Sequence, residues 1–467
     1  MTETFAYQRS IPVAPGADIV VVGGGPAGIA AAIAATRNAA GARVLLIERY
    51  GFLGGNLTAG LVGPCMTSYS LDGREQLIRG IFEEFVNRMV AAGGALHPSG
   101  IPAGSPYCSF IEYGHDKVTP FEPECAKITA LRMVREAGAE LLFHTMVVDT
   151  LTEAAAIGRR RVTGLVCASK SGLHVQPVGM VVDCSADGDV AALAGNEVAT
   201  GRAQDGLTQP MTLFFRVQGV DDARVEAYVR AHPDDFRPFS GIVEKARAKG
   251  RFPAPRKGVG MYRTLRRGVW RINTTRVLRR NGTDAKDLTA AEIEGLEQVY
   301  ALLDFFRKEL PGFENCSLLD TATQIGVRET RRVVGDYTLT LGDLQNGRRF
   351  PDVIALCGYP VDIHAPDGAG GGTGEAPPTA NVYEIPYRVL TPRDLDNVMV
   401  AGRAVSATHE ALGAIRVMPP CFAMGEAAGV ATALARSAGT TPRDLDVRRV
   451  QAQLQAQGAF IGDPIAG

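Results

Sequence analysis

No two of the eight cysteines, Cys65, Cys108, Cys125, Cys167, Cys184, Cys316, Cys357 and Cys421, stand in a C-x-x-C spacing. That excludes a dithiol–disulfide reductase, and no paired Cys/His pattern marks a metal site, so no metal is expected. The cysteines read as reduced thiols rather than a disulfide framework. No uncharged apolar run reaches the roughly 18 residues that a membrane span needs. Neither sign of charge is in excess: 49 Lys and Arg stand against 50 Asp and Glu, a net charge of −1. There is no global basic field to attract nucleic acid or an anionic membrane. Residues 1–15 are polar and punctuated by proline, without the apolar stretch of a secretory signal, and a cytoplasmic location is the expectation.

What remains is a globular composition, 46% hydrophobic and 21% charged over 467 residues, long enough for two to three domains. The chain is organised around Asp18 to Glu48. Ile19-Val20-Val21-Val22 reads as a strand buried on both faces. Gly23-Gly24-Gly25-Pro26-Ala27-Gly28 follows at once, then an Ala-rich helix to about Ala40, then a second apolar strand, Arg43 to Ile47, ending in Glu48. Strand, glycine turn, helix, strand and acid is the order of a dinucleotide site. Gly23 allows the tight turn, Gly25 lets backbone approach a pyrophosphate, and Gly28 lets helix and strand pack closely. The helix N-terminus faces the phosphates, and Glu48 can accept hydrogen bonds from a ribose.

Further along, Arg49 opens a loop whose Gly54, Gly55, Asn56 and Thr58 suit backbone contact with the same ligand. Leu77 to Ala92 reads as an amphipathic helix, and Gly93 to Gly114 as a long irregular stretch. Glu124 to Ala137 is a helix stopped by Gly138. A hairpin, Val162–Ser169 and His174–Val182, runs into Cys184-Ser185-Ala186-Asp187-Gly188-Asp189. That small, acidic turn is a second cofactor contact, with a simple N-cap role for Asp189 as the rival. From about Val220 to Leu310 the pattern becomes helical around a basic segment, Arg256, Lys257, Arg263, Arg266, Arg267 and Arg271, read as a solvated face of an inserted unit, with binding of an anionic substrate as the alternative. Arg328 and Arg331 would share a face on a helix but not on a strand; a carboxylate fork and a surface ion-pair array are equally open. Asp367 to Gly374 is a glycine-rich loop without a preceding strand. One dinucleotide fingerprint leaves a second, fixed NAD(P) site unsupported. Asn397 to Val400 is a strand running into Gly402-Arg403. Pro419-Pro420 then opens a Gly/Ala-rich helix that Gly439 ends.

Taken together, these segments resemble FAD-dependent oxidoreductases of the glutathione-reductase-type fold, and within them the bacterial group distantly similar to fumarate reductase flavoproteins. The resemblance rests on Val22 to Gly28, Leu53 to Thr58, Asp183 to Asp189, Gly326 to Arg332, and Ala401 through Gly429. It implies an α/β chain with a Rossmann-type FAD-binding domain assembled from residues 1–70, 120–215 and 330–467, and an α+β substrate unit from 71–119 and 216–329. It implies tight, non-covalent FAD, lined also by Ala186, Asp187, Gly402, Arg403, Gly413 and Cys421. Ala186 stands where the group has glycine, so the turn must tolerate a Cβ there. Expected catalytic residues are His409 in proton transfer and Arg416 as an anion clamp, with Arg328 and Tyr359 behind them. The leading activity is hydride transfer between flavin and a small polar, perhaps anionic, organic substrate. A flavin monooxygenase and a non-catalytic electron-transfer subunit are the alternatives, and a homo-oligomer or a redox partner stays open.

Overall fold

The computed structural model describes residues 5–155, 158–368, 370–371 and 376–463. Residues 1–4 of the polar N-terminal segment, and Ala369 and 372–374 of the glycine-rich loop, lie outside them.

The β-branched run forms β1 (Ala17–Val22) and leads through the glycines into α1 (Pro26–Asn38). The second apolar run is β2 (Val44–Ile47), parallel to β1. After α2 (Gly80–Ala91) and α3 (Pro123–Ala137), β3 (Glu140–Leu142) adds in parallel to β2. Then come β4 (Thr145–Ala154), β5 (Arg160–Ser169) and β6 (Gly172–Asp183), which extend the sheet antiparallel, in the order β3-β2-β1-β6-β5-β4. β6 is long enough to serve twice. Its first half pairs β5; its second half pairs β1 on one side and the strand Val398–Val400 on the other, both in parallel.

α1 covers this sheet and is covered in turn by the helix Met418–Ala438. Small residues explain how closely they lie. A Cβ on Gly425 would meet Ala27 O at 2.0 Å, and one on Gly429 would meet Ala31 O at 2.4 Å. Backbone therefore rests on backbone, as the glycine- and alanine-rich sequence of that helix anticipates. The helix stops at Gly439, whose φ of 64° is the left-handed conformation of a C-terminal glycine.

A second hydrophobic core holds Phe215, Trp270, Phe306 and Phe313. It lies between a four-stranded antiparallel sheet (Ser317–Thr321, Phe215–Gln218, Trp270–Ile272, Met261–Arg263) and helices that include Ala285–Glu309. Residues 71–119, expected in the substrate unit, divide. α2 belongs to the first core, with Phe82 and Phe85 packed on Phe422. Ile101, Cys108 and Val118, with their partners, form a small cluster apart, and Phe110 packs on the second core against Trp270. The reason is that α2 is apolar along the face it turns to the first core, which its amphipathic pattern shows without saying which core takes it.

Among the described residues no single helix is long and apolar enough to cross a membrane. Only the bent pair His409–Ile415 and Met418–Ala438, at 93°, reaches that composition together, and its residues are mostly buried within the protein.

Gly425→Val would drive a side chain into the α1 backbone. Overpacking of this kind costs about 1–3 kcal/mol or more. The variant is expected to melt at a clearly lower temperature than wild type, while the exposed control Arg449→Ala does not; equal midpoints would contradict the packing.

Candidate active site

Asp183, the last residue of β6, is level with Val22 of β1 and with Val400. The turns after these parallel strands therefore emerge at one edge of the sheet, outside the carboxyl ends, where α/β sheets bind ligands. They line a single cleft: Gly23, Gly25, Pro26 and Ala27 from the first turn, Cys184 to Asp187 from the second, Ala401 to Arg403 from the third. Glu48, Arg49, Gly55 and Asn56 line it from the β2 side, and Arg416, Met418 and Cys421 from the start of the last long helix.

The details fit a dinucleotide. α1 begins with no side-chain cap and no acidic residue in its first turn, so its N-terminal N–H groups are left for an anion. A Cβ on Gly25 would find only Gly55 Cα, at 4.0 Å; the glycine faces open cleft. Glu48 is buried, and its carboxylate accepts from Gly24 N at 2.6 Å and Tyr50 N at 2.9 Å. Burial pushes its pKa up. Ala186 takes φ +73°, the left-handed conformation that a glycine would take at less cost. Asp187 Oδ1 accepts from Arg403 Nη2 and from Thr330 Oγ1, each at 2.6 Å, and so ties the second and third turns together.

A second cavity, of about 160 Å³, adjoins the cleft. Asn56, Val327, Arg403, Arg416 and Met418 border both. Arg328 reaches it with Nη1 donating to Pro210 O at 2.6 Å and Thr212 Oγ1 at 2.7 Å, and Nη2 to Asn273 Oδ1 at 3.3 Å. Arg256 Nη1 donates to the same Oδ1 at 3.2 Å and to Asn273 O at 2.6 Å. Two guanidinium groups thus converge on one amide oxygen. Burial lowers both pKa values, Arg256 to about 10 and Arg328 well below the arginine value, helped by Arg416 and Arg256. Arg416 Nη2 donates to Asp362 O at 2.9 Å and to Gln209 Oε1 at 3.2 Å. Arg276 Nη2 lies 3.0 Å from His364 Nδ1. Since a guanidinium only donates, the proton of His364 is on Nε2, 3.6 Å from Asp362 Oδ1. Burial, with Arg328 and Arg256 nearby, holds this imidazole neutral. His115 is also buried at the cavity and is brought down to about 4 by burial and by Arg237.

The sequence profile of the family described as FAD dependent oxidoreductase matches residues 18–454. The chain belongs to this family. FAD is the family's cofactor. No curated protein shows a significant match. The chain is distantly similar to a geranylgeranyl bacteriochlorophyll reductase-like protein from Thermoplasma acidophilum, with 14% identity over 96% of this chain and 84% of that one and a TM-score of 0.43. It is similar to L-proline dehydrogenase from P. horikoshii at 14%, over 95% and 99%, TM-score 0.43. It is similar to p-nitrophenol 4-monooxygenase from Pseudomonas putida DLL-E4 at 13%, over 96% and 87%, TM-score 0.46. A reductase, a dehydrogenase and a monooxygenase together specify neither substrate nor reaction.

Several expected site residues lie elsewhere. His409 lines neither space. It is buried, with Nδ1 2.8 Å from Glu329 Oε2. Glu329 also pairs with Arg332 and accepts from Gln209 N at 3.1 Å. The histidine is a buried partner of that acid. Gly413 packs under the 362–363 backbone, where a Cβ would meet Ile363 Cγ1 at 3.0 Å. Gly54 and Thr58 shape the loop from behind: Gly54 N donates to Gly24 O at 2.8 Å, and Thr58 Oγ1 to Leu53 O at 2.8 Å. Gly28 serves packing as its spacing implies, since a Cβ would lie 1.7 Å from Gly23 O. Asp189, by contrast, lines the cleft and does not N-cap its helix; it is the first helical residue, and Asp183 Oδ2 takes the Ala191 N–H at 3.0 Å.

The arginine segments also resolve. Residues 327–330 are not helical and Arg331–Val333 is a strand. Arg328 enters the second cavity, whereas Arg331 pairs with Asp189; they form no common fork. Of the basic segment, Arg256 lines the cavity, and Arg271 is buried with Nη2 donating to Phe121 O at 3.1 Å, so neither belongs to a solvated face. Asp362, His364, Asn273 and Arg276 escaped the sequence reading. The signal available was the apolar strand Val353–Cys357 running into Gly358, the strand-then-glycine pattern of the cofactor turns, with Asp362 and His364 just downstream.

Gly25→Val would put a side chain into the cleft without disturbing any packed atom. The purified variant is expected to fold, by circular dichroism, and to lose its flavin absorbance; a fully yellow variant would place the pyrophosphate elsewhere.

Proposed function

We propose that the protein is an FAD-dependent dehydrogenase or reductase that exchanges a hydride with a small anionic organic substrate held in the second cavity. The observation that carries this reading is the pair Arg256 and Arg328, which have only neutral oxygen partners among the described residues. Buried charges are normally paired, and a carboxylate bound across the two groups would complete them. The cavity borders the cofactor cleft at Asn56, Arg403, Arg416 and Met418, so a substrate there would lie beside the flavin.

On this reading Rossmann-type segments of the glutathione-reductase-type fold bind FAD through Gly25, Glu48, Asn56, Ala186, Asp187, Gly402 and Arg403. The FAD-binding domain draws on 1–70, 120–215 and 330–467 together with α2, and 216–329 forms the substrate unit. Bound FAD supplies two-electron hydride chemistry. The protein's part is to orient and to hold charge. Arg328 and Arg256 bind the anion. Arg416, tied to Asp362 O, fixes the junction between the two spaces. The neutral side chains of His364 and His115 offer hydrogen bonds without adding charge.

Anaerobic addition of hydroxy acids, amines and enoates tests the reading by flavin bleaching or reoxidation. Arg328→Met is expected to keep FAD but to raise the half-saturating concentration of a reactive substrate at least about thirtyfold, the effect of losing roughly 2 kcal/mol of charge-assisted binding. Unchanged saturation would remove Arg328 from substrate binding. NAD(P)H-dependent oxygen consumption without bleaching by substrate would favour a monooxygenase.

A further inference from the structure

Part of the wall of the second cavity is apolar, from Val62, Met66, Ile111, Phe214, Val259 and Val327, beside the polar side chains of Ser109, His115, Tyr262, Tyr359 and Asp362. Phe236 lines it too and is 60% exposed, with the Arg237 guanidinium 5.3 Å from its ring. An aromatic rim and apolar walls desolvate a hydrocarbon at no cost and a second charged group at a large one. Two further cations of the lining are committed. Arg416 is held by Asp362 and Gln209, and Arg276 by the Gly368 and Gly370 carbonyls, each at 2.9 Å, and by His364. Among the described residues, the hydrogen-bond partners of Arg256 and Arg328 are neutral oxygens alone. The volume of this partly open space, about 160 Å³, is close to the roughly 150 Å³ of a cavity that holds one benzene ring.

We infer that the cavity takes an organic acid with one carboxylate and a compact apolar body, the size of a single six-membered ring or a short branched chain. The carboxylate lies on Arg256 and Arg328, and the body against Phe214, Val259, Met66 and Ile111. This rests on the anionic-substrate reading above and narrows it. A dicarboxylate of similar length would bring a second negative charge into a space that already holds the Asp362 carboxylate.

Calorimetry on the FAD-loaded wild-type protein with benzoate, cyclohexanecarboxylate, succinate and benzamide tests it without requiring turnover. Benzoate and cyclohexanecarboxylate are expected to bind at least about tenfold more tightly than succinate and than benzamide, a difference of about 1.4 kcal/mol. Succinate binding as tightly as benzoate would overturn the apolar-body inference and leave the anionic reading standing. Benzamide binding as tightly as benzoate would overturn the anionic reading itself. Absence of binding by both ring acids would overturn the inference. In Arg256→Met, with its flavin colour retained, the preference for benzoate over benzamide is expected to vanish; an unchanged preference would also overturn it.

Discussion

Asp183 is level with Val22 on one side and Val400 on the other, and the cofactor cleft follows from that register. Slipping β6 by one residue would turn its side chains to opposite faces and stagger the turns that must meet at one edge. Asp183 is itself part of the lock. Its carboxylate accepts from Ser185 Oγ at 2.6 Å and from Ala191 N at 3.0 Å, so the strand end, the turn and the next helix move as one. Within this turn Ala186 holds a left-handed backbone at a cost of about 1–2 kcal/mol. The Asp187–Arg403 and Asp187–Thr330 hydrogen bonds hold that turn in place.

The two cores divide the work. The sheet unit and the α1–Met418 helix pair supply rigid backbone at the cleft, where glycine and alanine bring chains within contact of each other. The second core carries Phe214, Val259, Arg256 and Asn273 to the adjoining cavity. The electrostatics differ accordingly. The cleft offers a helix N-terminus and a buried acid, whereas among the described residues the cavity gathers several guanidinium groups around the single carboxylate of Asp362. Rigid backbone suits a cofactor that stays, and excess side-chain charge suits a ligand that comes and goes.

The cofactor side was legible because its parts are local. Gly23 to Gly28, Glu48, and the strand ends at Asp183 and Val400 are read from neighbours in the chain, and each turn carries glycine or small residues for a backbone reason. The substrate side was not. Arg256 and Arg328 meet only through Asn273, and His364 takes its tautomer from Arg276; such contacts join residues far apart in sequence and leave no periodic trace. His409 misled for the same reason. Its position beside a cofactor-lining segment suggested chemistry, but the helix turns it inward onto Glu329. Amphipathic α2 was recognised as a helix and expected in the substrate unit, whereas it packs on the first core, because an apolar face does not name its partner.

The central claim is that the edge where β1, β6 and Val398–Val400 end holds FAD. The most direct test is the absorbance spectrum of the purified protein before and after acid precipitation, with the released chromophore identified by mass. The account predicts flavin bands that pass into the supernatant as intact FAD. A colourless protein that also fails to take up added FAD would contradict it.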